Sequence, residues 1–188
     1  MTETAILMVD GQRIELPIIQ GAEGNKSIDI SGLLATTGLT SYDPALVNTS
    51  ICKSAITYID GDKGVLRYRG IPVEEFTAQP APNFIEVAWL LIFGRLPMRE
   101  ELDEFRNQLI THELLHEQVK DQFQHVPADA PPMAILSASF NHLACVNKKL
   151  LVMDDSEGLL ETVASLISQV RTIAAFSYRR SMGLPFIY

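Results

Sequence analysis

Cysteine is scarce in this chain: Cys52 and Cys145 are the two thiols in 188 residues. Two thiols in a chain this long form no disulfide framework, which excludes a small stapled scaffold and makes a cytoplasmic location the expected one. Long hydrophobic runs are missing as well. The longest unbroken run, Val87 to Phe93, is seven residues, against the roughly 20 needed to span a bilayer. Met1-Thr2-Glu3-Thr4 has neither the basic stretch nor the apolar core of a signal peptide. Positive charge is in deficit, with 15 Lys and Arg against 23 Asp and Glu and a net charge of −8. That balance argues for no nucleic acid and no membrane among the partners, while a small anionic substrate needs only a local basic pocket. The sequence also lacks a glycine-rich phosphate loop, a G-x-S-x-G elbow, a C-x-x-C pair and any repeat at solenoid spacing.

What is present is a globular composition, 47% apolar and 20% charged, long enough for one core or a core with a small appendage. The stretch Ser54 to Gly70 organises it. Two runs rich in β-branched and aromatic residues, Ile56 to Ile59 and Val65 to Tyr68, flank Asp60-Gly61-Asp62-Lys63-Gly64, the pattern of a β-hairpin with a five-residue connection. Upstream, Asp10-Gly11 between Ala5–Val9 and Gln12–Ile18 predicts a second hairpin with a type I′ turn. Pro17 marks the second strand of that hairpin as an edge. Ile28 to Ile30 reads as a short strand, and Ser31 to Leu34 as the start of a helical turn stopped by Gly38.

From Ile71-Pro72 onward the period is helical. After a short helix at Val73 to Phe76, Asn83 with Glu86 three residues on predicts a capping box. The helix that follows is apolar around most of its circumference and is expected to be deeply buried, ending at Gly94. A second helix is expected from about Arg99 to His116, and a third from Glu117 to His125. A fourth is expected to be capped by Asp129, with Met133, Leu136, Phe140 and Leu143 inward. The last, about Gly158 to Arg179, is expected to be capped by Asp154 to Ser156, with Leu159, Val163, Leu166, Val170 and Ile173 as its stripe.

His112-Glu113-Leu114-Leu115-His116 is a literal H-E-x-x-H on a predicted helix. Two histidines one turn apart share a face and can share a zinc, with the glutamate as general base. A third ligand is missing, however. The extended motif would place glycine and histidine where Val119 and Gln122 stand, and no Glu occurs between Glu117 and Glu157. A polar helix end accounts for the segment, and a zinc hydrolase remains the minor alternative. His142, beside an apolar stripe, reads as a hydrogen-bonded structural histidine.

The segment Ser-Ala-Ile-Thr-Tyr-Ile-Asp-Gly-Asp-Lys-Gly-Val-Leu-Arg-Tyr-Arg-Gly from Ser54 closely resembles the N-terminal signature of citrate synthases. Phe84 to Pro97, Pro132 to Ser137 and Tyr178 to Phe186 resemble further segments of that family in order and spacing. The head before Ile51 resembles the additional β region of the larger Gram-negative type. The resemblance implies a mainly α fold, a portion of the helical large domain (71–188) preceded by a small β-rich head (1–70). It implies condensation of acetyl-CoA with oxaloacetate to citrate and CoA, with no cofactor or metal and a homodimer or hexamer as assembly. The family's catalytic histidines and aspartate match no residue here, so no catalytic or cofactor-binding residue is carried over. The chain alone is then expected to be inactive and to supply scaffold and subunit contacts, the latter from the helices near Pro132–Val146 and Leu159–Arg179. A naturally truncated binding module is the alternative. For allosteric NADH, the resembled pattern points to His112 and Arg179, with Thr111 where a cation would stand and Asn147 where an aromatic would.

Overall fold

The computed structural model describes residues 3–77, 83–151 and 158–188. The chain divides into two compact units, Met1–Thr57 and Tyr58–Tyr188, so the expected boundary near Gly70 falls inside the second.

In the first unit, strands β1 (Thr4–Val9), β2 (Gln12–Gln20) and β3 (Lys26–Ile28) form an antiparallel sheet in the order β1-β2-β3. Asp10 and Gly11 both adopt positive φ, 49° and 79°, as the type I′ turn requires. The turn sets Val9 opposite Gln12 and Thr4 opposite Pro17. β2 is therefore the central strand, not an edge. Pro17 is tolerated because the ladder with β3 begins one residue later, at Ile18 and Ile28; beyond it, the Pro17 carbonyl accepts the Asp29 N–H at 2.8 Å. β3 ends at Ile28 because Asp29 turns the chain, its carboxylate accepting the Ser31 N–H at 3.0 Å. Ile14 and Leu16 are buried, as is Leu33 of the short helix α1 (Leu33–Thr37), which Gly38 stops at φ 73°.

From the boundary at Thr57 the chain enters a three-stranded sheet, β4 (Thr57–Asp60), β5 (Val65–Tyr68) and β6 (Ile71–Pro72), followed by a 3-10 turn at Val73–Phe76. Helix α2 (Phe84–Phe93) starts on the expected capping box. Asn83 Oδ1 accepts the N–H groups of Ile85 and Glu86 at 2.9 and 3.2 Å, and Glu86 accepts that of Asn83 at 2.8 Å. Arg69 donates to the Leu91 carbonyl at 2.6 Å, tying the hairpin to a carbonyl the helix end leaves without an intrahelical partner. Deep burial of α2 is not found. Trp89 and Leu90 are buried, but Phe84 is 71% exposed, because α3 covers one side of the helix while its apolar residues run around all of it.

Helices α3 (Arg99–Thr111), α4 (Glu117–His125), α5 (Pro132–Val146) and α6 (Leu159–Ser181) complete the unit. One core joins Trp89, Phe105, Leu109 and Ala164. The other joins Leu115, Val119, Phe123, Ile135, Leu143, Ile173 and Phe176. α3 stops at Thr111, five residues before the expected His116, because His112 leaves helical geometry as its C-cap. Pro131, not Asp129, is the N-cap of α5. The Asp154–Ser156 cap expected for α6 lies outside the described residues.

Two inward faces differ from the apolar stripes. α5 buries Ile135, Ser139 and Leu143 while Met133 is exposed. α6 buries Ser165, Ser168, Gln169, Thr172, Ile173 and Phe176, leaving Leu159, Val163, Leu166 and Val170 half-buried. By length and composition α6 is apolar enough to cross a membrane, yet its hydroxyl- and amide-bearing face is turned to α3 and to the segment after it.

Candidate functional site

The densest polar constellation lies where α3 ends. A helix leaves its last carbonyls without intrahelical partners, and here α6 supplies donors. Ser168 Oγ donates to the Leu109 carbonyl at 2.6 Å and Thr172 Oγ1 to the Glu113 carbonyl at 2.8 Å. Gln169 Nε2 reaches the Leu114 carbonyl at 3.5 Å, and Arg171 pairs with the Glu113 carboxylate at 3.0 Å. From below, the Leu115 N–H donates to the Tyr188 hydroxyl at 3.3 Å. Arg180 takes the same role at the far end of α4, donating to the carbonyls of Val126 and Gln124 at 3.0 and 3.2 Å. Ser165, Ser168, Gln169 and Thr172 recur at i, i+3, i+4 and i+7 of α6. That periodicity of small polar residues is the sequence signal that would have marked this face.

The H-E-x-x-H segment is not helical. His112 caps α3 and His116 caps α4, with Glu113 to Leu115 between them in neither helix. The one-turn stacking that would let the two imidazoles share a metal is therefore lost. His112 Nδ1 is 2.8 Å from the Gln108 carbonyl and acts as donor there, while His116 Nδ1 accepts the Gln118 N–H at 3.2 Å. Among the described residues, no group of three or more His, Cys, Asp or Glu is placed to hold a metal.

His112 Nε2 faces Glu161 at 3.6 Å, and Lys149 reaches the same carboxylate at 3.7 Å. Arg179 belongs to the opposite end of α6, where it donates to the Pro185 carbonyl. At 1.5 Å per residue, the helix separates Glu161 from Arg179 by about 27 Å. One chain thus does not bring His112 and Arg179 together. Thr111 uses its hydroxyl on the carbonyls of Asn107 and Gln108 at 3.1 Å each, and Asn147 is the C-cap of α5.

His142 is a hydrogen-bonded structural histidine. Its Nδ1 is 3.1 Å from Gln122 Oε1, and Gln122 Nε2 donates to buried Ser139 at 2.6 Å. The largest carboxyl shift belongs to Glu101. The Arg95 guanidinium and the Met98 N–H hold it down at about 2.

The family profile for the citrate synthase C-terminal domain matches residues 45–188. The chain belongs to the citrate synthase family. It is 41% identical over 187 residues to citrate synthase 1 of Mycobacterium tuberculosis, covering 99% of this chain and 43% of that protein. Among solved structures, citrate synthase from Thermotoga maritima matches 79% of this chain at 30% identity and TM-score 0.63, covering 37% of that chain. That from Pyrobaculum aerophilum matches 91% at 26% identity and TM-score 0.69, covering 40%. The enzyme from Thermoplasma acidophilum, solved with carboxymethyl coenzyme A and oxaloacetate, matches 78% at 24% identity and TM-score 0.72, covering 38%; this last likeness is one of fold. The chain spans less than half the length of these citrate synthases. The mainly α architecture implied by the resemblance is the one found.

Proposed function

We propose that this chain forms the N-terminal portion of a citrate synthase that condenses acetyl-CoA with oxaloacetate to citrate and CoA. The observation that carries the reading is the continuous family match over residues 45–188. In the condensation, a carboxylate removes a methyl proton from the thioester while histidines stabilise the enol and polarise the ketone, acid–base chemistry run by preorganised dipoles. None of those groups matches a residue of this chain. Its part is scaffold, with α6 holding the end of α3 and the start of α4 at fixed geometry, and subunit contacts in a homodimer or hexamer. NADH inhibition of the full-length enzyme is weak or absent, since Thr111 supplies no cation and His112 and Arg179 stand apart.

The test is CoA release from acetyl-CoA and oxaloacetate by the full-length protein and by the 188-residue chain. Activity in the first and none in the second is the expected result. Release by the short chain would overturn its scaffold role, and a silent full-length protein would overturn the reaction. Titration with NADH in the same assay checks the regulatory reading, which micromolar inhibition would sink.

A further inference from the structure

Among the described residues, the buried side-chain atoms that find no partner in the chain are Arg69 Nε, Trp89 Nε1, Ser165 Oγ and Gln169 Oε1. The last two lie on one helix. Ser165 and Gln169 are one turn apart on α6, a spacing that sets side chains on one face with Cβ atoms roughly 5–6 Å apart. Both residues are at least nine-tenths buried, with 3% and 9% of their surface exposed. Buried polar atoms are costly unless hydrogen-bonded. Other hydroxyls of α6 meet that need in two ways. Ser168 and Thr172 donate across to the Leu109 and Glu113 carbonyls, and Ser177 donates back to the Ile173 carbonyl at 2.9 Å. Ser165 does neither. The Gln169 amide nitrogen reaches the Leu114 carbonyl at 3.5 Å, which fixes the amide's orientation, since the flipped one would face oxygen with oxygen. Gln169 Oε1 is therefore an acceptor without a donor, beside a hydroxyl that can give or receive.

We propose that one water molecule is bound between Ser165 Oγ and Gln169 Oε1 as a fixed part of the seam between α6 and the end of α3. The donor and acceptor set selects water. Neither group carries a charge, so the pair has nothing with which to hold an ion. A water accepts from the hydroxyl and donates to the amide oxygen, each at about 2.8 Å, and so bridges side chains one helical turn apart. Ala164, Ser165 and Ser168 are short side chains, which leaves room beside the helix that a leucine stripe would fill. Arg69 Nε and Trp89 Nε1 are single donors on other elements, and an internal water needs two to four bonds. The bridge extends the polar face of α6 by one turn before Ser168 and holds the side chain that reaches Leu114. It holds whether or not the enzyme carries out the proposed condensation.

Ser165→Ala tests the bridge by the sign of its effect. A hydroxyl buried dry and unpaired costs stability, so its removal leaves the protein as stable or more so. Removal of a bridging hydroxyl instead strands the water and the Gln169 oxygen. In the full chain, Ser165→Ala is expected to raise the unfolding equilibrium constant about tenfold, although alanine is the better helix former. A high-resolution crystal structure of the parent is expected to show an ordered water within about 3.2 Å of both oxygens. An unchanged or lowered unfolding constant in Ser165→Ala overturns the proposal. So does a parent structure in which Ser165 Oγ bonds Gln169 Oε1 directly, or in which no water lies between them.

Discussion

The Ser168 hydroxyl stands 2.6 Å from the Leu109 carbonyl, and that bond ties the last turn of α3 to the middle of α6. Both residues are buried, so the carbonyl has no ready substitute in solvent. Ser168→Ala is expected to destabilise the protein by about 1–3 kcal/mol, the cost of leaving a buried acceptor unmet. Thr172→Val removes the parallel bond to Glu113 and is expected to behave likewise, whereas Thr172→Ser retains the hydroxyl and most of the stability. Denaturant midpoints of the three variants check this. An unchanged midpoint in Ser168→Ala would mean that Leu109 has another donor.

Glu101 gives stability a specific dependence on acid. Its carboxyl is held at about 2, well below the ordinary 4.5, first by Arg95 and then by the Met98 N–H. A depressed folded-state value means that the carboxylate stabilises the fold above its unfolded value, and that this contribution is lost as pH falls from about 4.5 toward 2. Glu101→Gln is expected to be the less stable protein at neutral pH, with the difference shrinking through that window. Thermal midpoints measured in parallel from pH 7 to pH 2 decide it; a constant offset at every pH would place the effect in packing rather than charge.

Two N-caps make a matched pair. Asn83 caps α2 with its side chain, whereas Met98 has no oxygen with which to cap α3, although Glu101 accepts its N–H at 2.8 Å. Asn83→Ala is expected to cost about 1 kcal/mol. Met98→Thr is expected to gain a similar amount, roughly 0.5–1 kcal/mol, because Met98 is already extended at φ −72° and ψ 165° and is 70% exposed. Equal midpoints for Met98→Thr and the parent would show that the Glu101 half of the box suffices.

Metal removal provides the fourth expectation. With His112 and His116 capping different helices, zinc or a chelator leaves the unfolding midpoint where it was. His116→Ala lowers stability by about 0.5–1 kcal/mol, and the midpoint with it, through loss of the α4 cap alone. A chelator-sensitive midpoint would restore the metal reading.

The legible parts of the sequence were those governed by local chemistry. Asp10-Gly11 specified its turn because both residues had to take positive φ, and Asn83 with Glu86 specified a helix start because the partners are three residues apart. The α6 face was illegible to an apolar count. Ser168, Gln169 and Thr172 are buried because carbonyls more than fifty residues away accept from them, and periodicity scores only the residue's own hydropathy. α2 misled in the opposite sense, since an apolar helix is buried only as far as its neighbours reach. His112 and His116 looked coupled because the spacing assumed an unbroken helix. The break follows from the Leu109, Glu113 and Leu114 carbonyls finding partners on α6 instead of in a continuing turn.

The corner between α3 and α4 also sets an order of events. Its carbonyls are held by side chains 55 to 59 residues later in the chain, and contacts of such separation form only after a large loop has closed. α2 and α3 are synthesised before the α6 residues that complete their core, Ala164 among them. A nascent chain cannot close this corner until Thr172 has left the ribosome. Until then the Leu109–Leu115 stretch stays open with its carbonyls facing water, and the arrival of α6 is the step that commits both cores to one arrangement.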